Sequence, residues 1–142
     1  MSEVLIAAGV ALLGLLALLW WLRRSFIVVD VDGASMEPAY HSGDRVLVRR
    51  KPLARIRPGD VVVVARPSLP GGWMLKRVAA LPGDTVPASV SAAVHGATRV
   101  PRGQCVVLGD NAGSSYDSRR CGFFPADKVL GVVVRRVIRP HR

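Results

Sequence analysis

Nineteen consecutive uncharged residues, Val4 to Leu22 ("VLIAAGVALLGLLALLWWL"), constrain this chain more than any other feature. As an α-helix they extend about 28 Å, close to the hydrocarbon thickness of a bilayer. Trp20 and Trp21 close the run, where indole rings favour the membrane interface, and Arg23 and Arg24 follow. A secretory leader would carry a positive n-region, a shorter apolar core and a small-residue cleavage site, and this run has none of them. The expectation is an uncleaved anchor over residues 1–24. A buried core helix is the other reading, but residues 25–142 are rich in strand signals and leave little to surround it.

After Arg24 the helical periodicity stops. Short β-branched runs replace it: "FIVVDV", "RVLVRR", "DVVVVAR", "WMLKRVAAL", "CVVLGD" and "VLGVVVRRVI". Turn residues separate them, which predicts an all-β region over residues 25–142. A Gly-Asp step recurs at Gly43-Asp44, Gly59-Asp60, Gly83-Asp84 and Gly109-Asp110. The first three lead into apolar residues and read as hairpin corners, with Gly supplying positive φ and Asp bonding its own turn. The fourth leads into a polar loop instead. Residues 85–102 are small and weakly patterned, and a mobile β-excursion or loop is expected there. Disorder is expected only in the last few residues.

The net charge is +10, from 20 basic and 10 acidic side chains, and only three of the basic ones are lysine. A basic surface suits nucleic acid or anionic lipid. No aromatic stacking motif or zinc-finger spacing supports nucleic acid, so membrane lipid beside the anchor is the expected partner. His41, His95 and His141 stand far apart in turn-like or terminal contexts and read as surface residues. Cys105 and Cys121 provide two buried thiols or, if they face each other, one disulfide closing a loop of 15 intervening residues.

Two segments carry chemistry. In "GWMLKRVAAL" strand alternation puts Met74, Lys76 and Val78 on one face and Leu75 and Arg77 on the other. Among apolar neighbours an ammonium is poorly solvated and its pKa falls, which would make Lys76 a competent base. The same residue could instead extend its ammonium to the rim, and this segment alone leaves both open. "GDNAGSSYDSRR" is a polar loop that no core requires, with Asp117 and Arg119 spaced for a local ion pair. A calcium loop is excluded because Cys121 occupies the place of the bidentate glutamate. Near Ser35, in the corner "GASMEP", no histidine forms a recognisable triad. A serine activated by a neutral lysine remains.

The ordered blocks "GASMEP", "GDRVLV", "RIRPGDVVV", "KRVAALPGD" and "GDNAGSSYDSR" resemble type I signal peptidases, the serine–lysine endopeptidases of family S26. The likeness runs from about Asp32 to Val134, with the lysine 41 positions after the serine. It implies an antiparallel β-sheet catalytic domain on one transmembrane helix, in a minimal version without the large second domain of longer members. It implies Ser35 as nucleophile, Lys76 as general base, Ser115 as the hydroxyl that orients the lysine, and Asp117 with Arg119 as a supporting ion pair. The Ser35 backbone N–H would be an oxyanion donor. Gly33 stands where some members carry a serine that adds a second one. Met36 would be a pocket wall or an apolar membrane contact. Ala112 and Ala80 depart from a frequent Arg and a frequent Gly. The resemblance further implies cleavage after small residues and precursors bearing signal or leader peptides as substrates; no cofactor or metal and a monomeric state are also expected.

Topology is contested within the sequence. Glu3 and the amino terminus roughly cancel before the helix, while Arg23 and Arg24 follow it, and the positive-inside bias would leave the β-region cytoplasmic. That would suit a maturation protease of the same family that trims the leader of nickel superoxide dismutase. The intact "LPGD" and "SYDSRR" blocks favour a secretory signal peptidase with an extracytoplasmic domain. A membrane-anchored binding domain with an inactive dyad is a third reading.

Overall fold

The computed structural model describes residues 1–66 and 72–137. Helix α1 spans Ser2–Ser25, is apolar around its circumference, and has no buried residue. It is long and apolar enough to cross a membrane. It runs without a linker into strand β1, because Phe26 is both its C-terminal cap residue and the first residue of the strand. Trp21 meets the Phe26 ring edge-on at 6.4 Å across this junction.

The rest is one antiparallel sheet. Its strands are β1 (Phe26–Asp30), β2 (Arg45–Arg50), β3 (Val61–Ala65), β4 (Trp73–Ala80), β5 (Gln104–Leu108), β6 (Phe124–Pro125) and β7 (Val129–Val137). They lie in the order β1-β2-β7-β3-β4-β5-β6, so β7 is inserted between β2 and β3. The expected β-branched runs all form strands. Only β6, two residues long, had no sequence signal.

Burial follows from this order. Strand β3 is central, and Val61 to Val64 are all buried, as a strand covered on both faces requires. Val62 and Val64 join Met74, Val78, Cys105, Val107, Phe124 and Val132 on one side. Val61 and Val63 join Leu75, Val29, Val46, Val48 and Met36 on the other. The alternation expected in β4 is therefore observed, with Met74 and Val78 on one face and Leu75 on the other.

Residues 85–102 differ from the expected mobile excursion. Thr85 bridges Arg99, and Ala88–Val94 forms a 3-10 turn. Val86, Val90, Val94 and Val100 bury themselves against Ala80 and Val106 as a third apolar cluster. His41 and His95 are exposed as expected, whereas His141 and the terminal tail lie outside the described residues. Cys105 and Cys121 are free thiols. Burial raises the Cys105 thiol to about 11, and Cys121 donates to the Asp117 carbonyl at 3.2 Å.

Candidate active site

The chain leaves β1 through Val31 and Asp32 and turns at Gly33, whose φ of 87° is a left-handed conformation that disfavours a side chain. The Gly33 N–H donates to Ser42 Oγ at 3.2 Å, which ties the corner to the approach to β2. Ser35 follows, half-buried, and Met36 behind it is 1% exposed. Met36 packs with Val29, Val46 and Leu75. It is a wall of the cleft and of the core, and its burial rules out the membrane contact that the sequence left open.

Asn111 holds this corner from outside. Its backbone N–H donates to the Ser35 carbonyl at 2.9 Å, and its Nδ2 donates to the Ala34 carbonyl at 3.1 Å. The loop after β5 is thereby fastened to the serine. Gly109, at the start of that loop, could not carry a side chain: a Cβ there would lie 2.1 Å from Ser115 Oγ and 2.7 Å from the Ser35 carbonyl oxygen.

Lys76 comes from the middle of β4, paired across from Val62, and is 2% exposed. Its Nζ donates to Ser115 Oγ at 3.1 Å. Ser115 in turn donates to Asp117 Oδ2 at 2.7 Å. Asp117 is fully buried and also accepts from the Gly109 N–H, the Arg119 N–H and the Arg119 guanidinium, the last at 2.5 Å. Its side chain caps the short helix α2 (Ser118–Cys121) through that Arg119 N–H. Arg119 also reaches the Gly109 carbonyl at 2.9 Å. The polar loop thus folds around one carboxylate.

The charges respond to this enclosure. Burial lowers the Lys76 pKa below its ordinary value; Asp117 opposes that shift, while Arg66 and Arg119 add to it. Burial alone would raise the Asp117 carboxyl, but bonds from Arg119, Gly109 and Ser115 hold it well below the usual carboxylate range. A lysine in this setting loses its proton more readily, and its carboxylate neighbour stays ionised.

Gly33, Ser35, Met36, Arg66, Lys76 and Tyr116 line a single cleft of about 310 Å³. All the residues singled out in the sequence therefore converge: Gly33, Ser35, Met36 and Lys76 on the cleft, with Ser115, Asp117 and Arg119 bonded behind the lysine. Four contributors escaped sequence reasoning. Gly109 opens, and Asn111 follows, the one Gly-Asp step that does not lead into a strand; the step was noted but not its contacts with the serine corner. Asp110 accepts two bonds from Arg77, at 2.9 and 2.7 Å, and Arg77 also bonds the Gly59 carbonyl. Arg66, the residue after β3, also lines the cleft, which no local pattern announces.

A membrane-helix-bearing antiparallel sheet that puts a serine and a buried lysine in one cleft defines a narrow class of hydrolase-like proteins. The sequence model described as "Signal peptidase, peptidase S26" matches residues 3–94 and 87–138, and the chain belongs to that family. It is 36% identical over 113 residues to mitochondrial inner membrane protease subunit 1 of Xenopus tropicalis, covering 78% of this chain and 68% of the relative. It is 34% identical over 120 residues to the protein of the same name from Schizosaccharomyces pombe, covering 82% and 75%. It is 31% identical over 147 residues to probable signal peptidase I-1 of Synechocystis, again covering 82% and 75%. With α1, this makes the chain a single-pass membrane member of a peptidase family.

Proposed function

We propose that the chain is a membrane-anchored serine endopeptidase of signal peptidase I type that removes leader peptides with a Ser35–Lys76 dyad. The observation that carries this is Lys76: a buried lysine, bonded through Ser115 to Asp117, on the same cleft as Ser35. Ser115 commits its own proton to Asp117, so it can only accept from Lys76. One Nζ–H is thereby fixed, and the lone pair of the neutral amine is free to face the serine.

In the reaction, Lys76 Nζ takes the Ser35 Oγ proton as the oxygen attacks the scissile carbonyl. The backbone N–H of Ser35 is the oxyanion donor, and Gly33 adds no side-chain donor. The resulting ammonium protonates the departing amine as the peptide C–N bond breaks. Water then attacks the acyl-serine, Lys76 takes its proton and returns it to Ser35 Oγ as the ester C–O bond breaks, and the leader leaves as a carboxylic acid that ionises. The names of the relatives support signal- or leader-bearing precursors as substrates, and the family resemblance supports small residues before the cut. Arg23 and Arg24 favour a cytoplasmic sheet, so a leader-trimming protease on the cytoplasmic side is the second reading; protease protection in intact vesicles separates the two.

The test is cleavage of a reporter with an Ala-x-Ala leader by the full chain in detergent. Ser35→Ala and Lys76→Arg should each reduce turnover to background with folding unchanged, since arginine stays protonated. In the unsubstituted protein kcat/KM should rise with pH, because the base works only when neutral, and the rise should be centred below the ordinary lysine value of 10.5. Turnover by the Lys76→Arg protein would refute the dyad.

A further inference from the structure

We propose that Arg66 is a specificity residue of the cleft and recognises an acidic side chain of the precursor near the bond that is cut. The residue continues the face of β3 that adjoins the base. Val62 lies opposite Lys76 and Val64 opposite Met74, so Arg66, two positions further on, projects to that same side. Its N–H donates to the Gly72 carbonyl at 2.8 Å, which extends the ladder past the last strand pair. Gly72 has no side chain with which to cover the guanidinium. Arg66 is half-buried and lines the cleft with Ser35, Met74 and Lys76. Its charge stands near enough to Lys76 to help lower the pKa of that amine.

Arg66 has no counter-ion. Among the described residues, ion pairs join Arg45 to Asp30, Arg77 to Asp110, Arg119 to Asp117 and Arg136 to Asp44, and none involves Arg66. Asp117, behind the lysine, is committed to Arg119, Gly109 and Ser115. Asp32 also lines the cleft, at the serine corner, without pairing with Arg66. Pro67 to Gly71, which follow in sequence, include no acid. Spare arginines are unremarkable on a chain with 20 basic and 10 acidic side chains, provided that water solvates them. A half-buried guanidinium beside a second amine has given up part of that water and gained a repulsion. A carboxylate brought by a ligand relieves both, through a forked, charge-assisted pair.

Strand β4 shows how such a ligand can lie. It pairs with β3 over Trp73 to Arg77, but with β5 only from Arg77 onward. Among the described residues, the second edge of Trp73 to Lys76 is therefore open, and an extended peptide can run along it. Along the ladder, Arg66 stands about 13 Å beyond the Val62–Lys76 pair, and an extended chain advances about 3.3 Å per residue. With the arginine side chain spanning part of that gap, the acid falls about two to four residues from the cut. A glutamate there meets Arg66, whereas a lysine there meets two like charges. This preference rests on the peptidase reading for its substrate.

The test uses the full chain in detergent and a set of reporters with the same Ala-x-Ala leader. Glutamate or glutamine is placed singly at each position within four residues of the cut, the two alanines excepted. At one position kcat/KM for the glutamate reporter should exceed that for the glutamine reporter by about fivefold or more, the scale of a partly buried ion pair. The ratio should fall to about one in Arg66→Gln, persist in part in Arg66→Lys, and invert in Arg66→Glu, which should favour a lysine reporter instead. Loss of the Lys76 repulsion alone would change all reporters equally, so the ratio isolates recognition. Fluorescence anisotropy of the labelled leaders on the Ser35→Ala chain should show the same preference in Kd. Absence of cleavage of every reporter, with that binding preference intact, would sink the peptidase reading and leave the role of Arg66 standing. No glutamate preference at any position, or one that survives unchanged in Arg66→Gln, would overturn the proposal. Circular dichroism checks that the three Arg66 variants are folded.

Discussion

Gly59-Asp60 and Gly109-Asp110 are the same dipeptide placed at the ends of two hairpin-scale segments, yet their surroundings are opposite. Gly59 has a φ of 93° and open space where a Cβ would be. Asp60 accepts from the Arg57 N–H at 2.9 Å, closing its own turn. Gly43-Asp44 and Gly83-Asp84 repeat the pattern, with Asp44 accepting from the His41 N–H and Asp84 from the Leu81 N–H. Gly109 has no positive φ to accommodate. It is a glycine because the Ser115 hydroxyl and the Ser35 carbonyl press against it. Asp110 points away from its turn and accepts from Arg77 on β4. Three copies solve a local backbone problem. The fourth solves a packing problem between distant parts of the chain.

The largest effect should come from adding one methyl group. Gly109→Ala pushes a Cβ into the Ser115–Ser35 contact, so the lysine's support and the serine's corner must both shift. Turnover of the reporter should fall by at least about 100-fold, the scale on which small misplacements of reacting groups act. Gly59→Ala should leave turnover within about twofold and cost about 1 kcal/mol of stability in denaturant unfolding, the strain of a left-handed alanine. Equal loss of turnover in the two proteins would erase the distinction.

A smaller contrast lies in the aspartates. Asp110→Ala removes a two-bond pair that ties β4, next to Lys76, to the loop holding Ser35. kcat should drop by about tenfold with KM little changed, because positioning matters most in the transition state. Asp84→Ala removes one exposed turn bond, worth about 0.5–1 kcal/mol of stability, and should not alter kcat. Steady-state kinetics beside thermal unfolding of each protein reads both quantities.

The same contrast explains what the sequence revealed. Turn glycines and β-branched strands act locally, so β1 to β5 and β7 were legible from the order of apolar runs and turn residues, as was the alternation in β4, although that segment alone left the burial of Lys76 open. Relations across the chain were not. Asn111 bonding the Ala34 and Ser35 carbonyls depends on a loop some 76 residues downstream returning to the serine, and nothing in either segment encodes the other. Residues 85–102 lie between these cases. Val86, Val90 and Val94 recur every fourth residue and share one buried cluster, a helical-turn signal that is short and interrupted by Pro87. The convergence of Ser115, Asp117 and Arg119 behind the lysine was anticipated from the resemblance to a family, where the spacing of a polar loop by itself gave only the ion pair.

The position of β7 has a consequence for how the site is assembled. Strands β2 and β3 are separated by ten residues in the chain, yet in the sheet they do not touch, because β7 lies between them. Ser35 belongs to the β1–β2 side of that gap and Lys76 to the β3–β4 side. The two hairpins can form early and quickly, since their contacts are local. In the sheet the two hairpins are hydrogen-bonded to one another only through β7, so the proposed nucleophile and base depend on it for a common backbone frame. A version ending at Lys128 should form both hairpins by hydrogen exchange but show no acylation of Ser35 by a serine-directed inhibitor; acylation at the full-length rate would show that the two halves find each other without their keystone.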